Sequence, residues 1–132
     1  MTLERAIHER WAANAALTAL VPAGQVTTGR SSRAEVPYVT ILREQTQTAL
    51  RTNAGDTIDE ITLRMNVWHH DYDAAREVLQ AIRAAFDRSS FTLADGSRVL
   101  AMRRLTESAL QHPDGAWQLT IRFLARVSPP GI

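Results

Sequence analysis

The run Trp68-His69-His70-Asp71-Tyr72-Asp73 gathers the side chains best suited to chemistry in this sequence. Two imidazoles and two carboxylates within six residues are metal-ligand types, and with Asp71 they suggest a small metal-dependent enzyme. The spacing argues the other way. On an extended strand, neighbouring side chains point to opposite faces, so His69 and His70 do not converge on one ion. Asp71 stands where a helix N-cap is needed, immediately before an amphipathic run. His8 and His112 lie far off in sequence and carry no partner pattern. The junction therefore reads as a structural corner, with the enzyme as the alternative of a different class.

Other chemistries find less support. There is no cysteine, which removes disulfides, thiolate ligands and thiol nucleophiles. All basic residues are arginine, so no lysine is present for a Schiff base or a phosphate loop. The six glycines are scattered and form no nucleotide-binding pattern. Ser31, Ser32, Ser89, Ser90 and Ser97 sit in polar stretches without a nucleophile elbow. No catalytic residue, cofactor-binding residue or metal site is assigned. The formal net charge is +1, from 15 basic and 14 acidic residues, too balanced for a strong nucleic-acid footprint.

The elements that position these residues follow from periodicity. Thr2 caps a first helix expected to run to about Ala19, with Leu3, Ile7 and Trp11 on one stripe, stopped by Pro22 and Gly24. Residues 25–28 suit a short strand, and 29–35 a polar loop. Residues 36–43 (VPYVTILR) form a strand with Pro37 at its start or on a sheet edge. Residues 45–57 (QTQTALRTNAGDT) are the most loop-like stretch, either a flexible excursion or an extended hairpin arm.

Residues 58–68 are the clearest strand. Ile61, Leu63, Met65 and Val67 alternate with Glu60, Thr62, Arg64 and Asn66. Trp68 falls out of phase with the apolar face and suits a sheet edge or an interface. A second helix over 72–88 places Ala75, Val78, Leu79, Ile82, Ala85 and Phe86 on one stripe. Residues 91–93 and 98–105 flank an Asp95-Gly96 turn. His112-Pro113-Asp114-Gly115 is a type I turn leading into a strand over 116–127, with Trp117, Leu119, Ile121, Phe123, Ala125 and Val127 on one face. Trp11 and Trp117 read as core. Residues 128–132 suit a frayed tail.

The 132 residues thus predict one domain of α+β class, an antiparallel sheet of about four to five strands with two helices packed on one face. The N-terminus has no apolar signal region, and no apolar run approaches the roughly 20 residues that span a bilayer. Assembly in the cytoplasm, without a membrane partner, is expected. Arg103, Arg104, Arg122 and Arg126 are placed together on one face of the C-terminal hairpin, available for ion pairs with Glu60 or Glu107 of a neighbouring subunit.

The short N-terminal helix, the Val36-Pro37-Tyr38-Val39 strand entry and the passage from Val67 through Trp68-His69-His70-Asp71-Tyr72-Asp73 into Ala74-Ala75 resemble the phage tail-completion, or tail-terminator, family of long-tailed phages, prophages and gene transfer agents. The resemblance extends from about Leu3 to Val127. It implies a structural virion subunit, not an enzyme. That subunit forms a ring, commonly a hexamer, that caps the tail tube, ends its polymerisation and prepares the head–tail joint. The implied partners are other copies of the chain, the tail-tube protein and head–tail connector proteins, with DNA passing through unread. A head–tail connector or neck protein is the nearest alternative. A closed ring needs two different patches per subunit. The candidates are Pro37 at a strand edge; Gln45, Thr48, Arg51, Asn53 and Asp56 on the 45–57 excursion; Trp68; and Arg104, Arg122 and Arg126.

Overall fold

The computed structural model describes residues 2–29, 35–51, 53, 55 and 57–130. Among them, α1 (Leu3–Ala12), α2 (Ala15–Leu20) and a single 3-10 turn (Ala23–Gln25) precede β1 (Val26–Thr28), β2 (Tyr38–Arg51) and β3 (Thr57–His69). Then follow α3 (Tyr72–Phe86), β4 (Ser89–Thr92), β5 (Arg98–Gln111) and β6 (Trp117–Ser128). The strands form one sheet in the order β1-β2-β3-β6-β5-β4. This is the α+β class expected, with a larger inventory: six strands instead of four to five, and three α-helices instead of two. The sheet is also not wholly antiparallel, because β1 pairs with β2 in parallel.

The single helix expected to reach Ala19 is two. Asn14 adopts extended geometry and its side chain accepts from the Leu17 amide at 3.1 Å, starting α2. An Asn carboxamide competes well for backbone donors at a helix start, so the chain turns where the apolar stripe alone would continue. The turn is fastened by the buried Trp11 indole, which donates to the Val21 carbonyl at 2.9 Å. The remaining starts were legible. Thr2 Oγ1 accepts from Arg5 at 3.2 Å, and Asp71 Oδ2 from Ala74 at 2.9 Å. Helix α3 stops at Phe86 because Asp87 and Arg88 dock on β5. Asp87 Oδ1 accepts from the Arg104 amide, and the Arg88 amide donates to Met102.

The helices cover one face of the sheet. Ile61, Leu63, Met65 and Val67 of β3 and Leu119, Ile121, Phe123 and Ala125 of β6 are buried there against Trp11, Leu17, Val78, Leu79, Ile82 and Phe86. Pro37 immediately precedes β2, after a cis peptide bond from Val36. Ser128, placed in the tail by the sequence, ends β6 and is buried, and Pro130 lies beside Gly96. Gly131 and Ile132 lie outside the described residues.

The described residues of the 45–57 stretch form an arm, the second of the two alternatives the sequence left open. Strand β2 runs on to Arg51 and β3 begins at Thr57, paired in antiparallel register down to Arg51 and Thr57. Its strands carry no apolar alternation on β2 because residues 42–51 are exposed on both faces. Two register shifts in β2, at Arg43/Gln45 and Thr48/Leu50, increase the local twist. Strand β5 carries two more, at Val99/Ala101 and Arg104/Thr106.

Candidate assembly interface

At the Trp68 corner, β3 hands over to α3. The Asp71 amide donates to His69 Nδ1 at 3.1 Å, while the Asp71 carboxylate is taken up by the helix cap. Two of the three residues of the metal alternative are thereby committed to the local fold. Among the described residues no group of three or more His, Asp or Glu side chains is arranged to hold a metal ion.

Trp68 sits instead in a ladder of three rings. Tyr38 stacks on it with centroids 5.7 Å apart, and His112 on its other side at 5.1 Å. The pairing register explains the ladder: Tyr38 is opposite Trp68, and Trp68 is opposite Gln118. His112 Nε2 lies 2.8 Å from Gln118 Oε1. Gln118 Nε2 donates to Asn66 Oδ1 at 3.1 Å, and Thr120 Oγ1 donates to the same oxygen at 2.7 Å. Asn66 Nδ2 donates in turn to Thr40. A groove of about 970 Å³ opens beside the ladder, lined by Glu35, Tyr38, Trp68, His70, His112 and Asp114 among others. Burial, and then the Asp114 charge, push the Tyr38 phenol above its usual value. The Trp68 Nε1 atom is buried and has no hydrogen-bond partner.

The sheet face away from the helices is polar. Glu44 bridges Arg122 at 2.8 Å and Arg64 at 3.6 Å, and Glu60 pairs with Arg126 at 3.4 Å. Leu124, opposite Arg103, shares this face. Arg104 does not join it. Its register partner is Phe123, so it projects on the helix side, where it and Arg83 pair with Glu107. Burial pushes the Glu107 carboxyl up, but the hydrogen bonds from Arg83 and Arg104 outweigh this and hold it below its usual value. The sequence had grouped Arg104 with Arg122 and Arg126, but the bulge between Val99 and Ala101 shifts the alternation along β5 and turns Arg104 to the helix side. The acids expected to reach a neighbour, Glu60 and Glu107, are engaged within the chain.

Gln45, Thr48 and Arg51 lie on the exposed β2 side of the arm, and Asn53 is exposed at its tip. Gln45 donates to Gln47, and Thr48 reaches Asp59. Asp56 lies outside the described residues. Pro37 is half-buried and Trp68 caps the opposite end of the sheet from the arm tip. The structure thus separates the sequence-chosen residues into an arm, an aromatic corner and an arginine face. Sequence reasoning missed Tyr38 and His112 as partners of Trp68, for which only the cross-strand register carries a signal. It also missed the outer half of β5, residues 106–111, whose side chains are mostly exposed and so show no alternation.

The sequence matches the family described as tail completion protein gp17 over residues 5–128. The chain belongs to that family. It is a structural phage-tail family, not an enzyme family. A chain in the solved structure "Virion of native gene transfer agent (GTA) particle" has the same fold, with a TM-score of 0.77 over 96% of this chain and 94% of that one, at 19% identity. No curated protein matches the sequence. Among the described residues no helix is long and apolar enough to cross a membrane.

Proposed function

We propose that this tail completion protein forms a ring that caps the finished tail tube, ends its polymerisation and prepares the head–tail joint. The observation that carries the reading is the family match over residues 5–128. The fold shared with a chain of a gene transfer agent virion supports a place in the virion tail. The surface is consistent with stacking on other subunits. One sheet face is laced by arginine–glutamate pairs, an arm of mostly exposed residues leaves one end, and an aromatic ladder closes the other. Arm residues Gln45, Thr48, Arg51, Asn53 and Asp56 meet the tube or the next copy. Pro37 and Trp68 contact a partner at the opposite end. Arg122 and Arg126 face the DNA passage, which takes DNA through without reading its sequence. Arg104 serves by fixing β5 against α3.

The partners in this reading are further copies of the chain, a hexamer by preference, with the tail-tube protein on one side and the connector on the other. A polymerisation assay tests it. Purified tube protein is allowed to elongate, and its length is followed by light scattering with and without this chain. Substoichiometric addition is expected to arrest elongation. Unchanged elongation at excess protein contradicts the proposal. Binding only to a portal–connector complex contradicts it too, and assigns the chain to the neck.

A further inference from the structure

Among the described residues, the sheet has two long stretches of backbone edge with no strand beside them. Strand β1 covers β2 only at residues 39–41, so along residues 42–51 the side of β2 away from β3 has no strand partner among the described residues. Strand β4 reaches only as far as Met102 and Asp87 takes the Arg104 amide, so residues 105–111 of β5 are similarly open among the described residues. Natural edges are usually kept short or guarded by proline or charge, because unpaired amides and carbonyls recruit another strand. These two carry charges near their inner ends, where Glu44 and Glu107 are paired within the chain, and exposed leucine farther along. Among the described residues six large apolar side chains are exposed; Leu42 and Leu50 lie on the open stretch of β2, and Leu105 and Leu110 on that of β5. Leu50 and Leu110 are the most exposed, at 56% and 57%.

We infer that the two edges are the halves of one interface, in which β2 residues 42–51 of one copy pair with β5 residues 105–111 of the next. The occupant is a second copy because the chain supplies both halves with matching polarity. From β2 through β3 and β6 to β5, each neighbour runs antiparallel to the last, so β2 and β5 run in opposite directions. Copies set side by side in the same orientation therefore meet antiparallel. The contact is head-to-tail, the type that closes into a ring. The register also sets a tilt. Arg43 pairs with Leu63, Leu63 with Phe123 and Phe123 with Arg104, which puts Arg43 and Arg104 at one level. The free stretches leave that level in opposite directions. Bringing them together shifts each copy along the strands and inclines the strands to the ring axis, as stagger does in a closed barrel.

This inference rests on the ring reading, and the test separates the two. The chain has no cysteine, so single-cysteine variants are clean probes. Thr48→Cys and Ser108→Cys, both at exposed mid-edge positions, are mixed on tube ends and treated with a flexible bis-maleimide. A cross-linked dimer is expected from the mixture and not from either variant alone. The doubly substituted chain should give a ladder. Leu110→Arg should weaken association about tenfold or more with an unchanged circular dichroism spectrum. Rings imaged on tube ends without the mixed cross-link overturn the edge pairing and leave the ring standing. Cross-linking of Thr48→Cys to itself overturns it in favour of a two-fold edge. Absence of any ring overturns both.

Discussion

On the helix side of the sheet, β3 and β6 present Ile61, Leu63, Met65, Val67, Leu119, Ile121 and Phe123, all buried under α1, α2 and α3. On the other side, the same two strands present Arg64, Asn66, Gln118, Thr120, Arg122 and Arg126, joined by ion pairs and amide hydrogen bonds, and Trp68, stacked between two rings. One pair of strands thus carries both the folding of the chain and the polar face proposed for partners. The difference teaches where substitutions should act. Changes on the covered face should remove stability, and changes on the open face should spare the fold while altering assembly.

The largest effect is expected on the covered face. Leu79 is 1% exposed, and Leu79→Ala should destabilise by about 2–5 kcal/mol in chemical denaturation, the range for a cavity in a packed core. A loss below about 1 kcal/mol would mean the covered face is not the core.

Asn66 sharpens the comparison, because it is buried on the open side. Asn66→Ala strands the Thr120 hydroxyl and the Gln118 amide, and should cost about 1–3 kcal/mol. A neutral result would show that this network holds nothing in place.

Arg122 is partly exposed and its pair with Glu44 is screened by solvent, so Arg122→Ala should change stability by no more than about 1 kcal/mol. Tube capping should fall in the same variant, measured by the elongation assay. Loss of stability with intact capping would reverse the assignment of the two faces.

The smallest effect concerns pH. His8, hydrogen-bonded to Thr28, is held below its usual value by burial, with Glu4 partly opposing. The folded state therefore binds this proton less readily than the unfolded chain. The contribution is fully present above the unfolded value near 6.5 and is lost as pH falls from there through the folded value. Thermal unfolding from pH 7.5 to 5 should show a slightly steeper fall in Tm for the wild type than for His8→Gln.

The covered face was largely legible in the sequence, since its burial imposes alternation on β3 and β6 and a stripe on α3. The Asp71 cap was legible because a short acceptor before an amphipathic run has one strong use. The break at Asn14 was hidden, because Trp11 and Leu17 continue the apolar content across it. The arm and the outer half of β5 were hidden for the opposite reason: strands exposed on both faces need no alternation. The Trp68 ladder joins residues from β2, β3 and the turn after β5, so it depends on register, which no local pattern carries. Among the interface residues, Arg104 was misplaced because a bulge changes which face a side chain takes.

Imaging of tail tubes assembled with this chain addresses the central claim most directly. The account predicts closed rotationally symmetric density of this protein on one end of each tube, with tube length no longer growing after it binds. Tubes whose ends remain bare and continue to extend in the presence of excess folded protein would contradict it.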